Sequence, residues 1–166
     1  DLTQHMEFSG VDQRYTDGDT GEKYIPWFLE TSVGLGRLFL AVVADAYHEE
    51  EMDGSTRVVL KLHKDLAPYR VAVSPLLKNK PELVEKARAV FMTLKKEFGN
   101  VAYDDNSNVG KRYRRQDEIG TPYCIVIDFD TLGEENPEHK DTVTVRHRDT
   151  GEQERVAISE LTSYLK

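Results

Sequence analysis

The chain has a single cysteine, Cys124, so no internal disulfide can form and a reducing cytoplasm suits it. Set in Tyr123-Cys-Ile-Val-Ile-Asp128, that thiol reads as an inert core group. Long apolar runs are missing as well. The longest, Leu38–Ala44, is far short of the roughly 20 residues a bilayer demands, so no membrane partner is expected. Basic residues are in the minority, 22 Lys and Arg against 30 Asp and Glu. The resulting net charge of −8 argues against indiscriminate binding to nucleic acid, DNA included. The five histidines have no ligand spacing, and one cysteine cannot build a zinc site. Neither a Walker loop nor a Ser/His/Asp set can be assembled, so no catalytic residue is assigned. Asp128 and Asp130 have a spacing too common to signal a metal pair and read as turn formers. Internal repeats are absent. The start, Asp-Leu-Thr-Gln-His5, carries neither an initiator methionine nor signal-peptide features, so the chain is expected to be a piece of a longer protein.

What is present is concentrated first in residues 24–40. Tyr24–Thr31 reads as a continuous apolar strand of a covered sheet, ending in the polar Glu30 and Ser32. Two residues apart on a strand, these side chains would share a face. Gly34 and Gly36 follow as a turn that lets backbone approach a ligand closely. Arg37 then stands in the first turn of a helix over Leu35–Tyr47, apolar on nearly every side and so expected to be buried. A helix start with an arginine beside it attracts anions, and a carboxylate can fix an ammonium group. These residues therefore suggest a pocket for a phosphate-bearing ligand and an amine.

The second concentration is Lys111-Arg-Tyr-Arg-Arg-Gln-Asp-Glu118, with four cations in five residues. Asn106-Ser-Asn108 and Gly120-Thr-Pro122 bound it as a helix over Val109–Ile119. A solvated face with internal ion pairs, Arg114 with Glu118 for instance, is the ordinary reading. Charge order opposes it: cations lie toward the N-terminus and Asp117 and Glu118 toward the C-terminus, against the macrodipole. Such a helix suits an external anion, and arginines beside Tyr113 suit single-stranded RNA. Arg146 and Arg148 either extend that basic face or lie on a solvent-facing strand edge.

The rest of the chain is ordered around these two stretches. Residues 1–23 read as loop, His48–Ser55 as a polar break, and Thr56–Pro68 as an extended connector. The acids of Asp45–Asp53 read as a solvated stretch. From Tyr69 strands and helices alternate: Arg70–Pro75, the amphipathic Pro81–Phe98 stopped by Gly99, Val101–Tyr103, the basic helix, then Tyr123–Phe129, Thr142–Arg148 and a terminal Ile158–Leu165 helix. This is an α/β layer with an antiparallel addition near its end.

Ile25-Pro26, Glu30-Thr-Ser32 and Gly34-Leu-Gly-Arg37 resemble motif 3 of class II aminoacyl-tRNA synthetases in its glycyl form. The resemblance continues through Leu66-Ala-Pro68, Val71–Leu76, Gly110–Gly120, Asp128–Thr131 and Val145–Thr150, over essentially the whole chain. It implies a last catalytic strand and helix in 1–50, a connector in 51–68, and in 69–166 an anticodon-binding domain with a mixed sheet flanked by helices. It further implies that Glu30 and Ser32 recognise the amino group of glycine, and that Gly34, Gly36 and Arg37 meet ATP, used with Mg2+. Lys111, Arg112, Tyr113, Arg114, Arg115, Asp117 and Glu118 would bind the anticodon of glycine tRNA, whose cytosines offer an exocyclic amine to a carboxylate. The whole enzyme would be a homodimer, and this fragment would be inactive alone. A synthetase-like accessory factor without catalysis is the alternative.

Overall fold

The computed structural model describes every residue except 53 and 135. Asp53, the end of the acidic stretch, thus lies outside the described residues. By its internal contacts the chain divides into Asp1–Leu35 and Gly36–Lys166.

The first unit holds a helix α1 (Leu2–Ser9), closed by Gly10 in the left-handed conformation, and two short antiparallel strands, β1 (Tyr15–Thr16) and β2 (Lys23–Tyr24). The sequence reading of 1–23 as loop is corrected here. So is the strand over Tyr24–Thr31: pairing stops at Tyr24, and residues 25–34 have no regular structure. Backbone in a strand needs partners on its edges, and among the described residues of this unit only β1 pairs with β2. Trp27 and Leu29 are consequently fully exposed rather than core.

The second unit opens with α2 (Leu35–Ala46; its first residue closes the preceding unit). The helix forms as its composition dictates, but only Ala46 is buried, while Leu38, Phe39 and Leu40 are exposed. The expectation of a buried helix fails because no apolar layer covers it among the described residues. The polar break and extended connector are corrected as well: β3 (Tyr47–Met52) and β4 (Ser55–Leu60) form an antiparallel hairpin, Tyr47 opposite Leu60 and Met52 opposite Ser55.

Beyond it most of the pattern read from sequence holds. Phe129, however, belongs to a short helix and not to the preceding strand, and the strand Gln153–Ala157 is absent from that reading. The expected terminal helix is a 3-10 turn, Ile158–Glu160, followed by Leu161–Tyr164. The elements are β5 (Val71–Pro75), α3 (Pro81–Phe98), β6 (Val101–Tyr103), α4 (Val109–Ile119) and β7 (Tyr123–Ile127). A short α5 (Phe129–Leu132), β8 (Thr142–His147), β9 (Gln153–Ala157) and α6 (Leu161–Tyr164) complete the chain. The sheet order is β6-β5-β7-β8-β9, parallel among the first three and antiparallel thereafter. This is a mixed sheet flanked by helices.

The two crossovers run in opposite directions from β5 to β6 and from β6 to β7, so right-handedness sends α3 and α4 to opposite faces. Alternation along the strands then sorts the side chains. Val71, Val73, Ile125, Ile127, Val143 and Val145 meet Leu83, Ala87, Val90 and Leu94 of α3 in the main core. The intervening residues, Ala72, Ser74, Cys124 and Arg146, take the other face, where α4 and β4 pack together. Burial there pushes the Cys124 thiol up to about 12, so the inert-thiol reading holds. Asp128 caps α5 through Thr131 and pairs with Arg155, a turn former as expected.

Candidate nucleic-acid interface

Of the seven residues expected to face RNA, the structure buries two. Asn108 caps α4 by accepting from the Lys111 amide at 2.9 Å, and Gly120 ends it with φ +87°. Lys111, Arg114 and Glu118 are exposed, and Tyr113 and Arg115 half-buried. Arg112 is only 3% exposed and Asp117 only 2%.

Arg112 is not a free cation. Its guanidinium donates to the carbonyls of Pro75, Asp105 (3.2 Å), Asn106 (3.4 Å) and Ser107 (2.7 Å). It therefore organises the loop before α4 rather than presenting charge to solvent, which corrects its expected role as an outward contact. Arg115 is partly committed, donating to Asp104 Oδ2 at 2.7 Å and to the Asn106 carbonyl at 2.7 Å. Arg114 does not pair with Glu118; it donates to Ser55 Oγ of β4 at 2.9 Å.

Asp117 sits at the centre of an ion network. Arg146 grips it with both terminal nitrogens, Nη1 to Oδ1 at 2.8 Å and Nη2 to Oδ2 at 3.1 Å. Arg57 of β4 reaches the same Oδ2 with Nη1 at 2.9 Å. Burial alone would pull the Arg146 guanidinium down, yet Asp117 holds it above its ordinary value. The Arg146 guanidinium also lies 4.8 Å from the centroid of the Tyr113 ring. Burial pushes the Tyr113 phenol up to about 12, so it stays a neutral hydroxyl.

Arg146 and Arg148 are thus neither an open basic face nor a strand edge at solvent. Arg146 is buried on Asp117, and Arg148 donates to the Gly120 carbonyl at 2.8 Å and pairs with Asp149. Over this network opens a cleft of about 220 Å³, lined by Ser55, Tyr113, Arg114, Asp117, Arg146 and Gln153 among others. Arg57, Ser55 and Gln153 escaped the sequence reading. The one available signal was phase: Arg57 alternates with Val59 on β4, and both are buried.

The other predicted site is organised less. Ser32 Oγ donates to Glu30 Oε1 at 2.9 Å, so these two do come together, on an exposed irregular segment. Glu30 also lines a cleft of about 560 Å³ within the first unit, with Leu2, Pro26, Trp27 and Phe28. Gly34 belongs to that unit, while Gly36 and Arg37 lie exposed in the first turn of α2 in the second.

Residues 70–166 match the family model described as an anticodon binding domain. Over its whole length the chain is similar to proteins called glycine–tRNA ligase. It is 54% identical to that of Caldanaerobacter subterraneus subsp. tengcongensis, 51% to that of Borreliella burgdorferi and 49% to that of Clostridium beijerinckii. The chain spans only 34%, 36% and 34% of those relatives, respectively.

Proposed function

The chain belongs to the anticodon-binding domain family, and from that premise we propose that it is the C-terminal, tRNA-binding part of a glycine–tRNA ligase. The observation that carries this reading is the cleft beside α4, with exposed Arg114 in its lining, exposed Lys111 on the same helix and the Asp117–Arg146 pair in its floor. Cations beside the cleft meet phosphates, half-buried Tyr113 offers part of its ring for stacking, and exposed Glu118 supplies an acceptor for a base amine. Buried Asp117, expected as a second acceptor, holds Arg146 in place. The chain's net charge of −8 leaves the cationic rim as a local feature, which favours one RNA over any polyanion.

In the intact enzyme, a cytoplasmic homodimer on this reading, ATP and glycine would be the further substrates. Glu30, with Ser32 bound to it, would hold the glycine ammonium, and Gly34, Gly36 and Arg37 would meet ATP. Magnesium enters with the ATP phosphates. Among the described residues no three His, Cys, Asp or Glu side chains group to hold a metal.

The test is tRNA binding by the full-length enzyme in which Lys111, Arg114 and Arg115 are replaced together by alanine. Affinity for glycine tRNA should fall, and the dependence on salt should flatten by a slope of about 0.7 for each phosphate no longer neutralised. Tyr113→Ala should cost roughly 1–3 kcal/mol with the salt slope unchanged. Wild-type affinity and slope in the triple variant would make α4 a solvated face and remove the proposal.

A further inference from the structure

The β3–β4 hairpin precedes the residues that match the anticodon-binding family, and nothing in that match assigns it a role. Its side chains nevertheless reach the cleft. Three contacts fix the hairpin to the domain. At Gly120, which ends α4, a Cβ would stand 2.9 Å from the Leu60 carbonyl oxygen. At Gly151, between β8 and β9, a Cβ would stand 2.8 Å from Met52 Cε. Between these lies Arg57, only 6% exposed, bonded to Asp117, to Glu50 and, at 3.4 Å, to the Asp149 carbonyl.

Four of the five N–H groups of the Arg57 guanidinium are engaged. Nε donates to Glu50 Oε1 at 2.8 Å, Nη2 also donates to Glu50, and Nη1 goes to Asp117 Oδ2. Glu50 is braced in turn by Lys61 at 2.7 Å. A planar fork is needed to span two carboxylates in this way, and a lysine ammonium cannot do so. With 6% of its surface exposed and two carboxylates held, Arg57 acts chiefly on its neighbours. What it controls is the orientation of Asp117, and through it the Arg146 guanidinium over the Tyr113 ring.

We propose that the β3–β4 hairpin is a wall of the tRNA cleft and that Arg57 is its positioning residue, fixing Asp117 and Arg146 for recognition of an anticodon base. This rests on the tRNA-binding reading above. Met52, Ser55 and Arg57 form the hairpin's share of the lining, and Ser55 anchors the rim cation Arg114.

The test uses the full-length enzyme and measures the affinity of glycine tRNA and of the same tRNA with one anticodon base replaced. Arg57→Gln should weaken binding of the cognate tRNA about five- to thirty-fold and narrow its advantage over the altered tRNA. The salt slope should remain that of the wild type, since Arg57 meets no phosphate. Arg57→Lys should not rescue. The double variant Arg57→Gln/Asp117→Asn should bind no worse than Asp117→Asn alone, because both act through one carboxylate. Should Arg57→Gln fail to fold, Glu50→Gln releases only the far edge of the fork and must still narrow the discrimination.

Folded Arg57→Gln or Glu50→Gln protein with full affinity and discrimination, beside a defective Asp117→Asn, overturns the hairpin's role and leaves the tRNA reading intact. Losses that multiply in the double variant overturn positioning through Asp117. Full discrimination in Asp117→Asn itself overturns the cleft and with it the tRNA reading.

Discussion

Two carboxylates occupy contrasting settings in this chain. Glu30 accepts one hydrogen bond from Ser32 on an exposed, irregular segment, whereas Asp117 accepts three from two arginines in a buried pocket. In water the first pair competes with solvent and contributes little. In the second, desolvation makes each partner indispensable, because any member left alone is an uncompensated charge. Burial, more than the number of bonds, decides which of the two sites is held in shape by the fold.

The largest expected effect breaks the buried side of that contrast. Asp117→Ala strips Arg146 of its carboxylate and Arg57 of one of its two, and should destabilise the chain by about 3–5 kcal/mol, read as a lowered urea midpoint. Gly120→Ala comes next. It forces a side chain into a left-handed position and against the Leu60 carbonyl, which should cost about 1–3 kcal/mol and loosen the hairpin from α4.

Acid should probe the same contrast more gently. The hydrogen bond from Lys61 holds the Glu50 carboxyl below its usual range, with Arg57 adding to it against the opposing pull of burial. At Asp128 burial works against ionisation, but Arg155 and Thr131 prevail and hold that carboxyl low as well. Both groups are depressed in the folded state. Their stabilisation is therefore complete above the ordinary carboxylate value of about 4 and disappears as pH falls below it. Urea midpoints taken from neutral pH downward should decline in that window, and Lys61→Met should reduce the decline. The smallest effect falls on the exposed pair: Glu30→Ala or Ser32→Ala should leave stability within about 0.5 kcal/mol of wild type.

The part of the fold that was legible in sequence is the part specified locally. Pro81 at the first position and Gly99 at the stop bound α3 where the structure has it, and Asn108 and Gly120 do the same for α4. The hairpin was not legible because β3, Tyr-His-Glu-Glu-Glu-Met, has no apolar alternation, and its reason to pair lies in β4. Tyr24–Thr31 misled in the opposite sense, since apolar composition alone does not supply a neighbouring strand. Helix α4 was placed correctly, but the division of its residues between surface and interior was hidden. Arg112 satisfies carbonyls of its own preceding loop, and Asp117 is buried by Arg57 and Arg146, each far away along the chain.

The order of the sheet also bears on how the chain emerges during synthesis. β5 is made first among the five strands yet is hydrogen-bonded on both edges, by β6 and by β7. One edge can close once α3 and β6 have been made, but the other stays open until α4 and β7 follow. Through that interval the apolar stretch Val71-Ala-Val73 presents a bare strand edge, the feature most prone to pairing with the wrong chain. A pause in translation between β6 and β7 would lengthen that exposure, whereas a pause after β7 would find β5 already enclosed.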